Sequence, residues 1–275
     1  MHAPPAFAVR LQVRIVNLAR ASALAATLIC SLAVSAQQPP DPSRPSTTWG
    51  LGVGLGSKQK PYTGIDRDNE VLPLIEFENE YVHLLGPALD VKLPSLAISE
   101  TQSLDFRIVA RYAIFGGYEA DDAPILAGMG ERKDGFWAGA RVKWKTSLVN
   151  VDAAWMHDVS GYSKGQRFGL GFDRNWRFGR HFMLSPRVVA LWQDRKYNDY
   201  YFGVSPSEAR PGRPAYQADS GFNAEAGLRS IYLIDRHNSL FLDVSVTSLS
   251  SEVKDSPLVD RSTENRVLFA YVYRF

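Results

Sequence analysis

The chain has 275 residues, of which 12% are aromatic and 22% are charged, and its formal net charge is +2. Without residues 1–36, which hold three arginines and no acidic residue, 28 basic side chains face 29 acidic ones, a net charge of −1 that gives no support to nucleic acid as a partner. The single cysteine, Cys30, also lies in residues 1–36, which excludes disulfides and thiolate sites from the rest of the chain.

The N-terminal segment predicts a secretory signal peptide. Arginines 10, 14 and 20 form a basic region, residues 21–33 are apolar but too short to cross a bilayer comfortably, and Val34-Ser35-Ala36 supplies small residues for cleavage. A single membrane anchor is the alternative, and the polar, proline-rich stretch that follows disfavours it. We therefore expect residues 1–36 to be a signal peptide, residues 37–48 a flexible periplasmic segment, and residues 49–275 one outer-membrane domain.

From Trp49 onward, apolar and polar residues alternate with a period of two in about ten or eleven segments, the pattern of half-exposed β-strands. The polar face carries full charges in strand after strand, for example Arg141, Lys143 and Lys145 in one segment and Glu76, Glu78 and Glu80 in another. A closed barrel with a wet lumen accommodates these charges, whereas the solid core of a β-sandwich, the alternative fold, would not.

The connections between these segments alternate in length. Those near residues 146, 178–181 and 234–238 are short, while 116–134, 159–165, 194–217 and 250–264 are mostly longer, as expected for periplasmic turns and outer loops. We therefore predict an all-β fold, a transmembrane antiparallel up-and-down β-barrel. The stretch from Tyr81 to Gln102 leaves the strand number open, and an even number requires ten or twelve strands, of which we favour twelve.

No sequence motif points strongly to a catalytic or metal-binding site. Gly161-Tyr162-Ser163-Lys164-Gly165 matches the nucleophile-elbow pattern but lies between predicted strands, with no helix after it, so a hairpin loop is the better interpretation. The scattered histidines, including His83, give no zinc-site spacing, and Asp121-Asp122 fits a solvated acidic loop. His157-Asp158 at an outer strand end keeps a hydrolase at the barrel lip as a minor alternative. We predict no catalytic residue, cofactor site or metal site.

Two stretches carry candidate contacts. Residues 197–210 are too aromatic for a purely solvated loop. The candidate contact residues, which either fold into the barrel mouth or contact a partner, are Tyr197, Tyr200, Tyr201, Arg210 and Tyr216. The C-terminal strand places Tyr271, Tyr273 and Phe275 on one apolar face. Such an ending is similar to the signal that barrel-assembly machinery recognises, so these three residues are our predicted membrane-insertion signal.

Several separated motifs resemble the MipA/OmpV family of outer-membrane proteins (MltA-interacting protein). The resemblance runs from about Trp49 to Phe275, and Phe202, where the family often has Tyr, is a mild departure. The matching residues are Gly117-Tyr118, Leu126-Ala127-Gly128-Met129, Arg132, Ser163-Lys164-Gly165-Gln166, Lys196-Tyr197, Glu208-Ala209-Arg210, Arg213-Pro214-Ala215-Tyr216, Asp255-Ser256-Pro257-Leu258-Val259 and Tyr271-Val272-Tyr273-Arg274-Phe275.

The resemblance implies a monomeric outer-membrane barrel without agreed catalytic residues. One family member is regarded as a scaffold that joins a murein transglycosylase to a penicillin-binding protein, and others are described as porins, adhesins or antigens. Our first hypothesis is therefore a non-enzymatic scaffold in contact with outer-membrane lipid, with a small-solute pore or a surface adhesin as alternatives.

Overall fold

The computed structural model describes residues 47–65, 67–114 and 116–275, so the predicted signal peptide and most of the predicted periplasmic segment lie outside it and stay predictions. Its elements are β1 (Thr48–Gln59), β2 (Arg67–Glu78), β3 (Val82–Leu85), β4 (Ala88–Lys92), β5 (Leu96–Ser99), β6 (Gln102–Tyr112), β7 (Phe136–Lys145), β8 (Asn150–Asp158), β9 (Gln166–Asp173), β10 (Trp176–Phe178), β11 (Phe182–Gln193), α1 (Arg195–Phe202), β12 (Gly221–Leu233), β13 (Asn238–Ser248), α2 (Ser251–Lys254) and β14 (Thr263–Arg274), with one 3-10 turn at Pro124–Leu126. No helix among these is long and apolar enough to span a membrane.

The strands form one antiparallel sheet that closes on itself. β1 pairs with β2 on one side and with β14 on the other, and pairing continues through β3, β4, β6, β7, β8, β9, β11, β12 and β13. β5 lies beside β6 as a continuation of β4, and β10 lies beside β11 as a continuation of β9. The fourteen segments therefore fill twelve positions around the ring, which confirms the favoured strand number.

A proline explains the break between β9 and β10. Asp173 is opposite Arg187 and Trp176 is opposite Leu184, so the same register continues across the interruption. Pro186 faces this gap, and it has no N–H to donate to the ladder. β10 therefore continues in the direction of β9, and hydrogen bonds to β11 are lost only at the interruption between them.

The stretch that obscured the strand number folds into a short hairpin of β3 and β4. β2 has twelve residue pairs with β1 but only three with β3, which are Glu76–Leu85, Phe77–Leu84 and Glu78–His83. The turn at Gly86, with φ of 52°, closes the hairpin and donates its N–H to the Ile75 carbonyl at 2.9 Å. The seam between β2 and β3 is consequently the shortest in the barrel wall.

The two faces of the sheet divide the residues as the alternation predicted. Large apolar side chains are exposed on the outer face of nearly every strand, including Leu51, Ile75, Trp155, Phe222 and Phe269. Aromatic pairs lie at both rims, such as Trp49–Phe77 with ring centroids 4.5 Å apart and Tyr112–Phe136 at 4.6 Å. An apolar band between two aromatic girdles is the surface that a bilayer requires.

The inner face carries ion pairs that join neighbouring strands. Asp243, 2% exposed, accepts from Arg187 at 2.9 Å and from Arg229 at 3.2 Å, and Arg266 lies 3.5 Å away. Asp90 is held in the same way between Arg107 and Arg111. Because each carboxylate faces more than one guanidinium, its removal would leave several buried cations without a counter-charge.

We expect Asp243→Asn to lower the free energy of unfolding by about 3 kcal/mol, since it keeps the shape of the side chain but removes the shared negative charge. Urea unfolding in lipid vesicles, followed by tryptophan fluorescence, measures the change. Asp121→Asn in an exposed loop is the matched control. Equal unfolding midpoints for the two variants would contradict the role of Asp243.

Candidate functional site

Loops from around the ring meet over the outer mouth of the barrel. We call the packed parts of residues 60–65, 116–135, 194–220 and 249–262 the outer cap. Its apolar cluster comprises Tyr62, Ile65, Tyr118, Ala123, Leu126, Met129, Tyr201, Phe202, Val204, Leu249, Val253 and Leu258. Because the four loops leave the barrel between different strand pairs, a single cluster that includes all of them lies across the mouth.

Tyr62 is at the centre of the outer cap. Its ring is 5.0 Å from that of Tyr118 and 5.6 Å from that of Phe202, and its hydroxyl donates to the Tyr201 carbonyl at 3.1 Å. Burial raises the pKa of the Tyr62 hydroxyl well above its usual value. The phenol therefore stays neutral and serves as a packing and hydrogen-bonding group.

A charged latch joins two of the cap loops. The Arg132 guanidinium donates to both oxygens of Glu208, at 3.1 and 3.2 Å, and its Nε donates to the Tyr200 carbonyl at 2.6 Å. Burial alone would raise the pKa of Glu208, but N–H groups of Gly130 and Ser205, the Ser205 hydroxyl and Arg132 lower it to about 2. The carboxylate is therefore ionised throughout the physiological range.

Arg213 is a second connection within the cap. It is 1% exposed and donates to the carbonyls of Ala127, at 3.1 Å, and Glu208, at 2.6 Å, as well as to that of Ile125. A guanidinium with several donors suits this arrangement, because the carbonyls of a folded loop otherwise lack partners. The cap is thus held by polar contacts around its apolar centre.

The five predicted contact residues all belong to the region of the outer cap. Tyr201 is buried, Tyr197, Tyr200 and Tyr216 are partly buried against the cluster, and Arg210 is exposed while donating to the Pro124 carbonyl. The structure therefore brings these residues together at the mouth. Their contact with a partner stays a prediction.

The residues of the suggested hydrolase do not form a catalytic pair. His157 lies on the lipid-facing side of β8, stacked on Trp155 with centroids 6.5 Å apart, while Asp158 points the other way. The Asp158 carboxylate accepts from the N–H and hydroxyl of Ser163, at 2.7 and 2.8 Å, and from Ser160. Through these hydrogen bonds, Asp158 stabilises the hairpin loop that contains the serine motif.

The charged side chains of the lumen form ion pairs between nearby strands. Arg141, Lys143 and Lys145 do not oppose Glu76 and Glu78. They pair with Asp152 at 2.6 Å, Asp173 at 2.7 Å and Asp105, all on nearby strands. Glu76 instead pairs with Arg274 at 2.8 Å, and Glu78 pairs with Lys92 at 2.7 Å. The alternation of residues identifies the inward face, but the strand that supplies each partner follows only from the structure.

The predicted insertion signal lies at the periplasmic rim on the outer face of β14. Tyr273 stacks on His237 and contacts Phe275, with centroids 5.8 and 5.2 Å away, and the Tyr271 hydroxyl donates to Asn238. The N–H of Phe275 donates to the Trp49 carbonyl at 2.9 Å, so the last residue joins the closing pair of strands. Recognition of these residues by assembly machinery stays a prediction.

The closed ring, the apolar outer band and the charged lumen define an outer-membrane β-barrel. Residues 51–275 match the model of the family described as MltA-interacting protein MipA, and the chain belongs to that family.

Relatives in sequence agree with this assignment. The chain is 25% identical to the putative outer membrane protein YiaT of Escherichia coli K12 over 230 residues, which cover 82% of this chain and 90% of the relative. It is also 25% identical to the MltA-interacting protein of Escherichia coli K12 over 229 residues, which cover 82% of this chain and 89% of the relative. It is 28% identical to the outer membrane protein OmpV of Vibrio cholerae over 158 residues, 58% of this chain and 61% of the relative. An outer-membrane channel from Pseudomonas putida F1 aligns with a TM-score of 0.41 and 12% identity, over 86% of this chain and 99% of the channel.

Acid should loosen the outer cap. Since the pKa of Glu208 is depressed in the folded protein, its contribution is present above its unfolded value near 4.5 and is lost as pH falls from there toward 2. We expect amide exchange in residues 194–220 to be faster in Glu208→Gln than in the wild type at pH 6, and the difference to shrink below pH 4. The measurement is the ratio of the exchange rates of the two proteins at the same pH, because the intrinsic pH dependence of exchange cancels in that ratio.

Glu131→Gln is the control for this prediction, because Glu131 is an exposed residue of the same region whose only ion pair, among the described residues, is a loose one with Lys133 at 3.6 Å. A Glu208→Gln protein that exchanges as slowly as Glu131→Gln at pH 6 would show that the latch is unimportant.

We expect Phe275→Ala to slow insertion of the barrel in cells, because it removes the terminal aromatic contact with Tyr273 and the girdle. The folded fraction after a pulse of synthesis, read from heat-dependent gel mobility, measures insertion. Phe269→Ala, on the same outer face but at mid-strand, is the control. Equal insertion rates for the two variants would argue against a C-terminal signal.

Proposed function

We propose that this protein acts through its surfaces, as a non-enzymatic outer-membrane barrel that holds a murein-remodelling enzyme at the periplasmic face. The covered mouth carries the proposal, because the outer cap lies across the opening through which a general pore would admit solutes. The strongly buried ion pairs of the lumen, such as Arg229 with Asp243, add support. The name of the MltA-interacting relative supplies the class of partner.

A groove at the periplasmic rim offers a surface for such a partner. It has a volume of about 620 Å³ and lies between the turn at residues 146–150 and residues 174–178. Leu148 is 67% exposed on one side, and Arg174 and Arg177, which form no ion pair with any described residue, lie on the other. Apolar contact beside unpaired guanidiniums suits an acidic segment of a protein partner.

We expect Leu148→Asp combined with Arg177→Glu to reduce recovery of murein transglycosylase and penicillin-binding protein at least tenfold, since the change repels an acidic segment and removes an apolar contact. Affinity capture from solubilised envelopes, with and without cross-linking, measures recovery. Tyr162→Ala, in an exposed outer loop, is the control. Undiminished recovery would remove the groove from the proposal, and no recovery by the wild type would remove the scaffold.

A pore for small solutes is the second candidate, because the inner face is charged. The outer cap leads us to expect no regular conductance steps from the wild-type protein in planar bilayers. Arg132→Ala combined with Glu208→Ala should produce brief openings, since it removes the latch between two cap loops. Regular steps from the wild type at low voltage would favour the pore over a function at the surfaces.

A further inference from the structure

We propose that Glu76, Glu78 and His83 form a binding site for a divalent transition-metal ion such as Zn²⁺ at the periplasmic end of the lumen. The donor atoms of the two carboxylates and the imidazole all lie within 4.8 Å of one another. Two oxygens and one imidazole nitrogen are a donor set that suits Zn²⁺, whereas Mg²⁺ and Ca²⁺ prefer oxygen alone.

The β-ladder fixes the relative positions of the three residues. Glu76 and Glu78 are two residues apart on β2, so both point into the lumen, and His83 on β3 is directly opposite Glu78. None of the three depends on a loop for its position. Paired strands of the barrel wall therefore hold all three side chains, and a site on such rigid elements is more precisely placed than one on loops.

The burial of the His83 imidazole also supports the site. Its side chain is nine-tenths buried, at 9% exposure, and no described residue forms a hydrogen bond with its imidazole. Coordination of an ion beside Glu76 and Glu78 would give one ring nitrogen the partner that it lacks.

Two cations compete for the carboxylates. Arg274 contacts both oxygens of Glu76, at 2.8 and 3.0 Å, and Lys92 donates to Glu78 at 2.7 Å and to the Asn79 carbonyl at 2.9 Å. Each carboxylate oxygen has a further lone pair, so Arg274 can stay in place. The flexible Lys92 ammonium occupies an oxygen-lined position beside Glu78, and the ion must displace it.

The position of the site gives the ion a structural role. β2 and β3 share only three residue pairs, and two of these pairs include a residue of the proposed site. An ion bound by Glu78 and His83 would add a link across this short seam. Bound Zn²⁺ should therefore slow amide exchange in β3 and β4 more than in the long seam between β1 and β2.

Zinc titration of the purified, folded barrel tests the site. We expect the wild type to bind one Zn²⁺ by isothermal titration calorimetry and His83→Leu to bind it at least tenfold more weakly, because the only nitrogen donor is lost. Lys92→Gln should bind at least threefold more tightly, because the competing ammonium is gone. His181→Ala, which removes an exposed histidine at the periplasmic end, should match the wild type.

Heat-dependent gel mobility establishes that each variant is folded, and His83→Gln replaces His83→Leu if the latter does not fold. Unchanged zinc affinity in the His83 variant, or affinity in Lys92→Gln no tighter than in the wild type, would overturn the proposal. Loss of zinc binding in His181→Ala would also overturn it, since the ion would then be bound at the periplasmic turns.

Discussion

Closure of the sheet between β1 and β14 is the constraint on which the rest of the structure depends. In lipid, an open sheet edge would leave peptide groups without hydrogen-bond partners, at a cost of several kcal/mol for each group. Ten residue pairs, from Gly50–Arg274 to Gln59–Asn265, join the first strand to the last, so that neither has a free edge there. Once the ring is closed, alternate side chains must face lipid or lumen, so the charges are forced inward and must pair with one another.

The same constraint produces the outer cap. Closure brings four long loops to a common rim, where their apolar residues bury one another instead of remaining in water. Apolar packing around Tyr62 holds the loops together. The Arg132–Glu208 pair and the N–H groups of Arg213 provide hydrogen-bond partners for polar groups that burial would otherwise leave unpaired. The cap lies over the outer mouth, whereas the groove and the proposed metal site both lie at the periplasmic end of the barrel.

Local patterns in the sequence predict the barrel and indicate one aromatic loop of the cap, but they do not predict the contacts between the cap loops. The alternation of Phe269, Tyr271 and Tyr273 is a property of one strand, so lipid-facing and lumen-facing sides follow from it directly. β3 and β5 have four residues each, too few to display a period of two, which is why the strand number stayed open. Arg132 and Glu208 are 76 residues apart, and nothing local joins them. Helix α1 has one local signal, since Asp194 caps it by accepting from the Tyr197 N–H.

Pro73 affects how β2 can interact with neighbouring barrels. Gly86 donates to the Ile75 carbonyl, so the backbone of Pro73, two residues away, points to the same side of β2, where no described strand pairs with it. A foreign strand that approached this flank would meet a ring carbon where it needs a donor. In a crowded membrane this position disfavours strand pairing with a neighbouring barrel.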